Sequence, residues 1–258
     1  MKGQYTFGAN PPSAEADAFD LNPATIAACV GQKIAACSKG ADLDNNFSTI
    51  LHRVNDTFKT KVRDMKPKNT FQGIQQAHEE GNTSGIPGTL STQVTQRLMC
   101  QTLQGWDDII DCLLNDFNNE ACNMINQSLL DYEGTSIYAT ASKFLHGRME
   151  VWMETSGTSI KKQLGCQKYQ PYCGYDTWKA SVGTRTTAIK DAVTRRGHLE
   201  HYIRDEIIEC SAMISLFYDY ICQNFACILV TNLEHDVMRH LRSNKEITDA
   251  LREALLQN

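Results

Sequence analysis

Apolar side chains recur every three or four residues along most of this chain, the spacing of amphipathic helices. The pattern is clearest between Leu43 and Met65, where Leu43, Phe47, Ile50, Leu51, Val54, Phe58, Val62 and Met65 fall on one stripe. Asp42 or Asp44 can cap that helix, and Pro67 stops it. Upstream, Asn22 precedes Pro23, a cap followed by a proline in the first turn, and Ile26, Val30 and Ile34 follow before Gly40. A short helix is predicted near Phe71 to Glu80, and Ser91 opens another that carries Val94, Leu98 and Leu103.

The stripe resumes with Trp106, Ile109, Ile110, Leu113, Leu114 and Phe117, and continues through Ala121, Ile125 and Leu129 after a predicted break near Asn118. Thr135 can cap a helix presenting Ile137, Ala141, Phe144, Leu145 and Trp152. The glycines and Pro171 between Thr155 and Tyr175 predict a long loop. Asp176 caps a helix closed by Gly197, and His198 to Thr231 is apolar nearly all round, as a central buried helix would be. Amphipathic helices over Leu233 to Arg242 and Glu246 to Gln257 finish the chain, and no alternating strand pattern of useful length occurs.

The expected fold is therefore all-α: a multi-helix globular protein of about ten helices with an extended N-terminal arm. The arm covers 1–21, an N-terminal helical lobe 22–80, a linker 81–90 and a C-terminal helical lobe 91–258; the lobes are either separate or one continuous domain. Apolar residues make up 41% and charged residues 21%, an ordinary globular balance. No uninterrupted apolar run reaches the length of a spanning helix, and the first twenty residues hold Glu15, Asp17 and Asp20 with no apolar core. These features predict no membrane partner and no signal peptide or transmembrane segment, in a cytoplasmic or virion-like setting. The ten cysteines read as reduced, buried small hydrophobes, with five disulfides of a secreted chain as the competing reading.

Charge changes the picture more than composition does. The total is −5, but it alternates along the chain: net +3 over 59–100, −7 over 101–142, +6 over 143–196 and −5 over 197–258. One basic cluster is Lys59, Lys61, Arg63, Lys66 and Lys68; the other spans Lys161, Lys162, Lys168, Lys179, Arg185, Lys190, Arg195 and Arg196. Such clusters suit a phosphate backbone, with Tyr169, Tyr172, Tyr175 or Trp178 available for stacking. They equally suit pairing with acidic blocks of a neighbouring helix or subunit, and the net acidity weighs against a dedicated nucleic-acid binder.

Catalytic signatures are missing: no nucleophile elbow, phosphate loop, dinucleotide fingerprint or H-E-x-x-H occurs. Cys166–Cys173 and Cys222–Cys227 lack zinc spacing, and His198/His201 and His235/His240 lack carboxylates in register, so no metal and no cofactor are expected. Cys173, in a basic tyrosine-rich loop, would be the one candidate nucleophile. The sequence thus leads to a non-enzymatic structural protein that self-assembles into a homo-oligomer or polymer, its arm docking on a neighbour. It would be a nucleocapsid or coat-like subunit packaging single-stranded nucleic acid. The alternative is a secreted or surface helical protein stabilised by disulfides and acting as an interaction module.

Overall fold

The computed structural model describes residues 22–39, 47–66, 70–81, 92–167, 175–195 and 203–257. Among these, 92% are helical and none is in a strand. The arm 1–21, most of the linker 81–90, Lys68, Lys168, Arg196, Cys173, His198, His201, Tyr169 and Tyr172 lie outside the described residues. The helices are α1 (Pro23–Lys39), α2 (Phe47–Asp64), α3 (Phe71–Gly81), α4 (Thr92–Gln101), α5 (Trp106–Leu129), α6 (Ser136–Gln167) and α7 (Tyr175–Arg195). The long α8 (Asp205–Arg242) and α9 (Asn244–Leu256) complete the chain.

Local chemistry explains most of the starts. The Asn22 side chain accepts from the Ala24 amide at 3.0 Å, capping α1 ahead of Pro23. The Thr135 hydroxyl accepts from the Tyr138 amide at 3.2 Å, and Ser243 accepts from the Glu246 amide at 3.4 Å to start α9. Gly105 stands at φ 80°, the left-handed turn that redirects the chain between α4 and α5.

About ten helices is slightly too many, because predicted breaks do not occur. Helix α5 runs unbroken through Asn118. The predicted loop 155–175 is helical to Gln167. Its small residues are used for packing: Ser156 and Gly157 are buried, and a Cβ on Gly157 would stand 3.3 Å from Leu114 of α5. Ile160 and Leu164 extend that buried stripe. The predicted boundary at Leu233 is also absent, since the chain passes through a π-turn, Glu234–Met238, without leaving the helix.

One cluster of buried side chains draws on helices from both sides of the 82–91 segment. At its centre Trp106 meets Phe58 edge-on at 5.5 Å and Tyr218 at 5.7 Å, with Phe225 completing the group. Helix α8 packs against α2, α3, α4, α6 and α7, as expected of the central helix. It is 38 residues long with a window of mean hydropathy 1.4, so by length and composition it could cross a bilayer. Length and composition of this kind also suit a buried core helix, and Asp219, Gln223 and Asn224 interrupt the apolar run.

A smaller cluster joins α3 to the start of α8 through Ile74, Ile207, Cys210 and Ile214, with Leu98 and Met99 of α4 packed against it. Within it His78 is 3% exposed, its Nε2 lies 3.5 Å from the Cys210 sulfur, and that sulfur lies 3.5 Å from the Thr95 hydroxyl. Burial, then the charges of Arg204 and Arg97, lower the His78 pKa from its ordinary value. Cys210 is the buried member of the described cysteines; Cys29, Cys112, Cys166 and Cys227 are exposed. The expectation of generally buried cysteines therefore fails. Cys112 sits on the outer face of α5 beside Asp111 and Asp116, one step off the Ile109, Ile110 and Leu113 stripe.

Candidate functional site

Lys59 and Arg63 are four residues apart in the last turns of α2, on one face with Cβ atoms roughly 5–6 Å apart, and Lys66 follows two residues past the helix end to line the same cavity. Lys61 is two residues out of that register. It turns to the other side, where its Nζ lies 3.3 Å from the Cys112 sulfur. The Lys59 face looks across a cavity of about 760 Å³ toward Arg185 on α7. Helix α8 supplies the remaining wall with Leu216, Tyr218, Asp219, Tyr220, Cys222 and Gln223.

Among the described residues, four cations thus face one carboxylate. Asp219 bridges two of them, at 2.6 Å from Lys66 Nζ and 3.0 Å from Arg185 Nη2. These ions are only about a third exposed, so the pairs are less screened than open surface pairs. Among the described residues, Lys59 and Arg63 have no carboxylate partner.

Two contacts hold the floor. The Tyr218 hydroxyl donates to the Val62 carbonyl. That carbonyl belongs to the last turn of α2, where helix geometry leaves C=O groups without intrahelical donors. The bond therefore ties the cationic end of α2 to α8, and Lys66 lies 5.6 Å above the same ring. Burial raises the Tyr218 phenol pKa, so the group remains a donor. Burial, reinforced by the Asp219 charge, pushes the Cys222 thiol up to about 12. It is a neutral thiol in the wall of the cavity, and the chemistry offered to a ligand is that of guanidinium and ammonium groups.

The other predicted basic residues are placed differently. Lys161 pairs with Asp111 at 2.6 Å, and Lys190 pairs with Asp205 at 2.8 Å. Lys162, Lys179 and Arg195 are exposed outside the cavity, and Arg195 Nε donates to the Asp191 carbonyl at 3.1 Å. Pairing with acidic blocks thus takes up part of the basic set, as it does for Arg53 with Glu120 at 3.0 Å and for Lys33 with Asp131. Trp178 packs half-buried against the main core rather than standing free to stack. His240 stacks on Trp152 at 4.9 Å and lies 2.9 Å from Glu246. Among the described residues, no three His, Cys, Asp or Glu side chains converge as a metal site.

Sequence reasoning missed the α8 wall. Asp219 was visible as a charge inside an apolar run, and that anomaly was its signal. Gln223 interrupts the same run, and Tyr220 and Cys222 carried no signal. No family model matches this chain, and no characterised protein or solved structure matches it either.

Proposed function

We propose that the protein is a non-enzymatic structural subunit that holds the phosphate backbone of single-stranded nucleic acid in the α2–α7–α8 cavity and assembles with copies of itself. One observation carries the reading: Lys59, Arg63 and Lys66 from one basic cluster and Arg185 from the other line the same cavity, opposite a single carboxylate among the described residues. A phosphate entering there meets guanidinium forks and ammonium groups with little competing charge. The chain's net acidity then acts elsewhere on the surface and does not oppose binding at the cavity.

Assembly is supported by sequence rather than by a contact. Residues 1–21 lack a core-forming pattern, and blocks of opposite charge give identical subunits a means of setting register. A cytoplasmic or virion-like setting goes with this reading. The disulfide-stapled alternative has less support, since Cys29, Cys112, Cys122, Cys166, Cys210, Cys222 and Cys227 are unpaired thiols.

Sedimentation of the purified protein before and after nuclease treatment tests the proposal. Fast-sedimenting particles that absorb at nucleic-acid wavelengths and change on digestion are expected. A salt-insensitive monomer without bound nucleic acid would overturn it. Particles indifferent to nuclease would leave assembly standing and remove the ligand.

A further inference from the structure

A second depression adjoins the cationic cavity. It is an open trough of about 810 Å³ along α7, and it shares Arg185 and Leu216 with its neighbour. Its chemistry is different. Thr177, Ser181, Thr184 and Ala188 follow one another by four, three and four residues, a single stripe of small side chains on α7. Small side chains leave space above the helix, and their hydroxyls offer hydrogen bonds without charge. The Thr184 hydroxyl donates to the Ala180 carbonyl at 3.0 Å, so toward a ligand it presents lone pairs. Asp176 stands at the far end.

We propose that this trough is the nucleoside subsite of the same site, so that the ligand is a nucleoside phosphate unit. Its phosphate lies over α2 and its sugar and base lie along α7. The inference rests on the phosphate reading of the cavity and adds the rest of the ligand. The partition of charge between the two chambers is the argument. The cavity is strongly cationic. Among the described residues, the trough has Arg185 only at the junction and a carboxylate at its end, so this lining disfavours a second phosphate and accepts amino donors from a base edge. A molecule that fits both is anionic at one end and neutral with hydrogen-bonding groups at the other. Leu216 gives the trough an apolar floor against which a sugar or base face can lie. Arg185, fixed by Asp219 at 3.0 Å, sets its planar guanidinium where phosphate and base meet.

Two sources carry this chemistry, a single-stranded polynucleotide and a free nucleotide, and the test separates them. Fluorescence anisotropy would follow a labelled single-stranded RNA 10-mer. The competitors would be an unlabelled 10-mer, an abasic ribose-phosphate 10-mer, adenosine and uridine monophosphates, and inorganic pyrophosphate. The variant is Ala180→Leu with Ala188→Leu, which fills the trough at exposed helical positions without altering charge. Circular dichroism melting confirms that it folds. The base-bearing ligands are expected to weaken by about tenfold, as for one lost base contact, while pyrophosphate and the abasic strand stay within about twofold. A 10-mer that outcompetes the monophosphates supports the subsite with a polymer as its source; equal competition supports it with a free nucleotide.

If the filled variant binds every ligand like the parent while Lys59→Ala with Arg63→Ala weakens all of them, the nucleoside subsite is wrong and the phosphate cavity stands. If neither variant changes anything, or nothing binds, the phosphate reading itself fails.

Discussion

Lys59 and Arg63 differ from their basic neighbours in one respect, because Lys66 and Arg185 share Asp219 and these two do not. A cation already committed to a carboxylate contributes less to an incoming phosphate. Replacing Lys59 or Arg63 by Ala should therefore weaken binding about equally across nucleic-acid sequences and lower the salt slope by roughly one unit each. Titrations at several salt concentrations would read this, and an unchanged slope would count against the cavity. Asp219→Asn should act the other way and strengthen binding, because it removes the only carboxylate among the described residues that line the cavity. At His78 the outcome depends on pH. Its folded-state pKa is depressed below the ordinary histidine value of 6.5, by burial first and then by Arg204 and Arg97. The unfolded chain thus takes up the proton more readily, so stability is full above 6.5 and falls as the pH drops below it. Urea midpoints measured between about pH 5 and 7.5 should fall toward the acid end, and His78→Gln should flatten the curve.

At the scale of elements, α1 and α9 approach each other closely. Gly31 lies inside α1, where a Cβ would run into the Thr248 hydroxyl and stand 2.6 Å from Asn244 Oδ1 and 3.4 Å from the Asn244 carbonyl. Gly31→Ala would gain helix propensity yet force these helices apart. The expected result is a loss of roughly 1–3 kcal/mol in chemical unfolding, whereas an Ala at open Gly183 should cost nothing. The same physics explains which elements were legible in the sequence. Stripes such as Phe47 to Val62 and caps such as Asn22 are local, and they predict helices α1 and α2 closely. Gly157 and Asn118 were misread because a helix breaker in isolation is tolerated once a facing helix is packed against it. Half of the site was legible in the same way: the register of Lys59 and Arg63 sets one face of α2 and excludes Lys61. That Arg185 and Asp219 meet them depends on how α2, α7 and α8 pack, and periodicity within one segment carries no information about that.

Taken whole, the molecule divides its charge between two uses. Pairs such as Lys161 with Asp111 and Arg53 with Glu120 fasten helix to helix across the surface. The α2–α7–α8 cavity keeps an excess of cations facing one carboxylate. An overall negative chain with one concentrated cationic recess should bind polyanions stoichiometrically and release them as salt rises. Gel shift at increasing protein should then give a discrete complex rather than a smear of higher species. A smear would indicate that charge outside the recess, on Lys162, Lys179 or Arg195, does the binding.

The π-turn at Glu234–Met238 has a consequence for the far end of α8. One residue beyond the α-helical count advances everything downstream by about 100°, so the turn works as a phase shifter inside a single rod. Upstream of it the rod shows Asp219 to the cavity; downstream it shows Leu241 to the core, His240 to Trp152 and Arg242 to Glu234 and Ser48. Deleting exposed His235 would remove the offset. The last turn would then rotate as a unit, uncoupling Trp152 from His240 while the cavity stays in place. Trp152 fluorescence should shift and polyanion affinity should hold, so the two ends of this helix would be set independently by the presence of one residue.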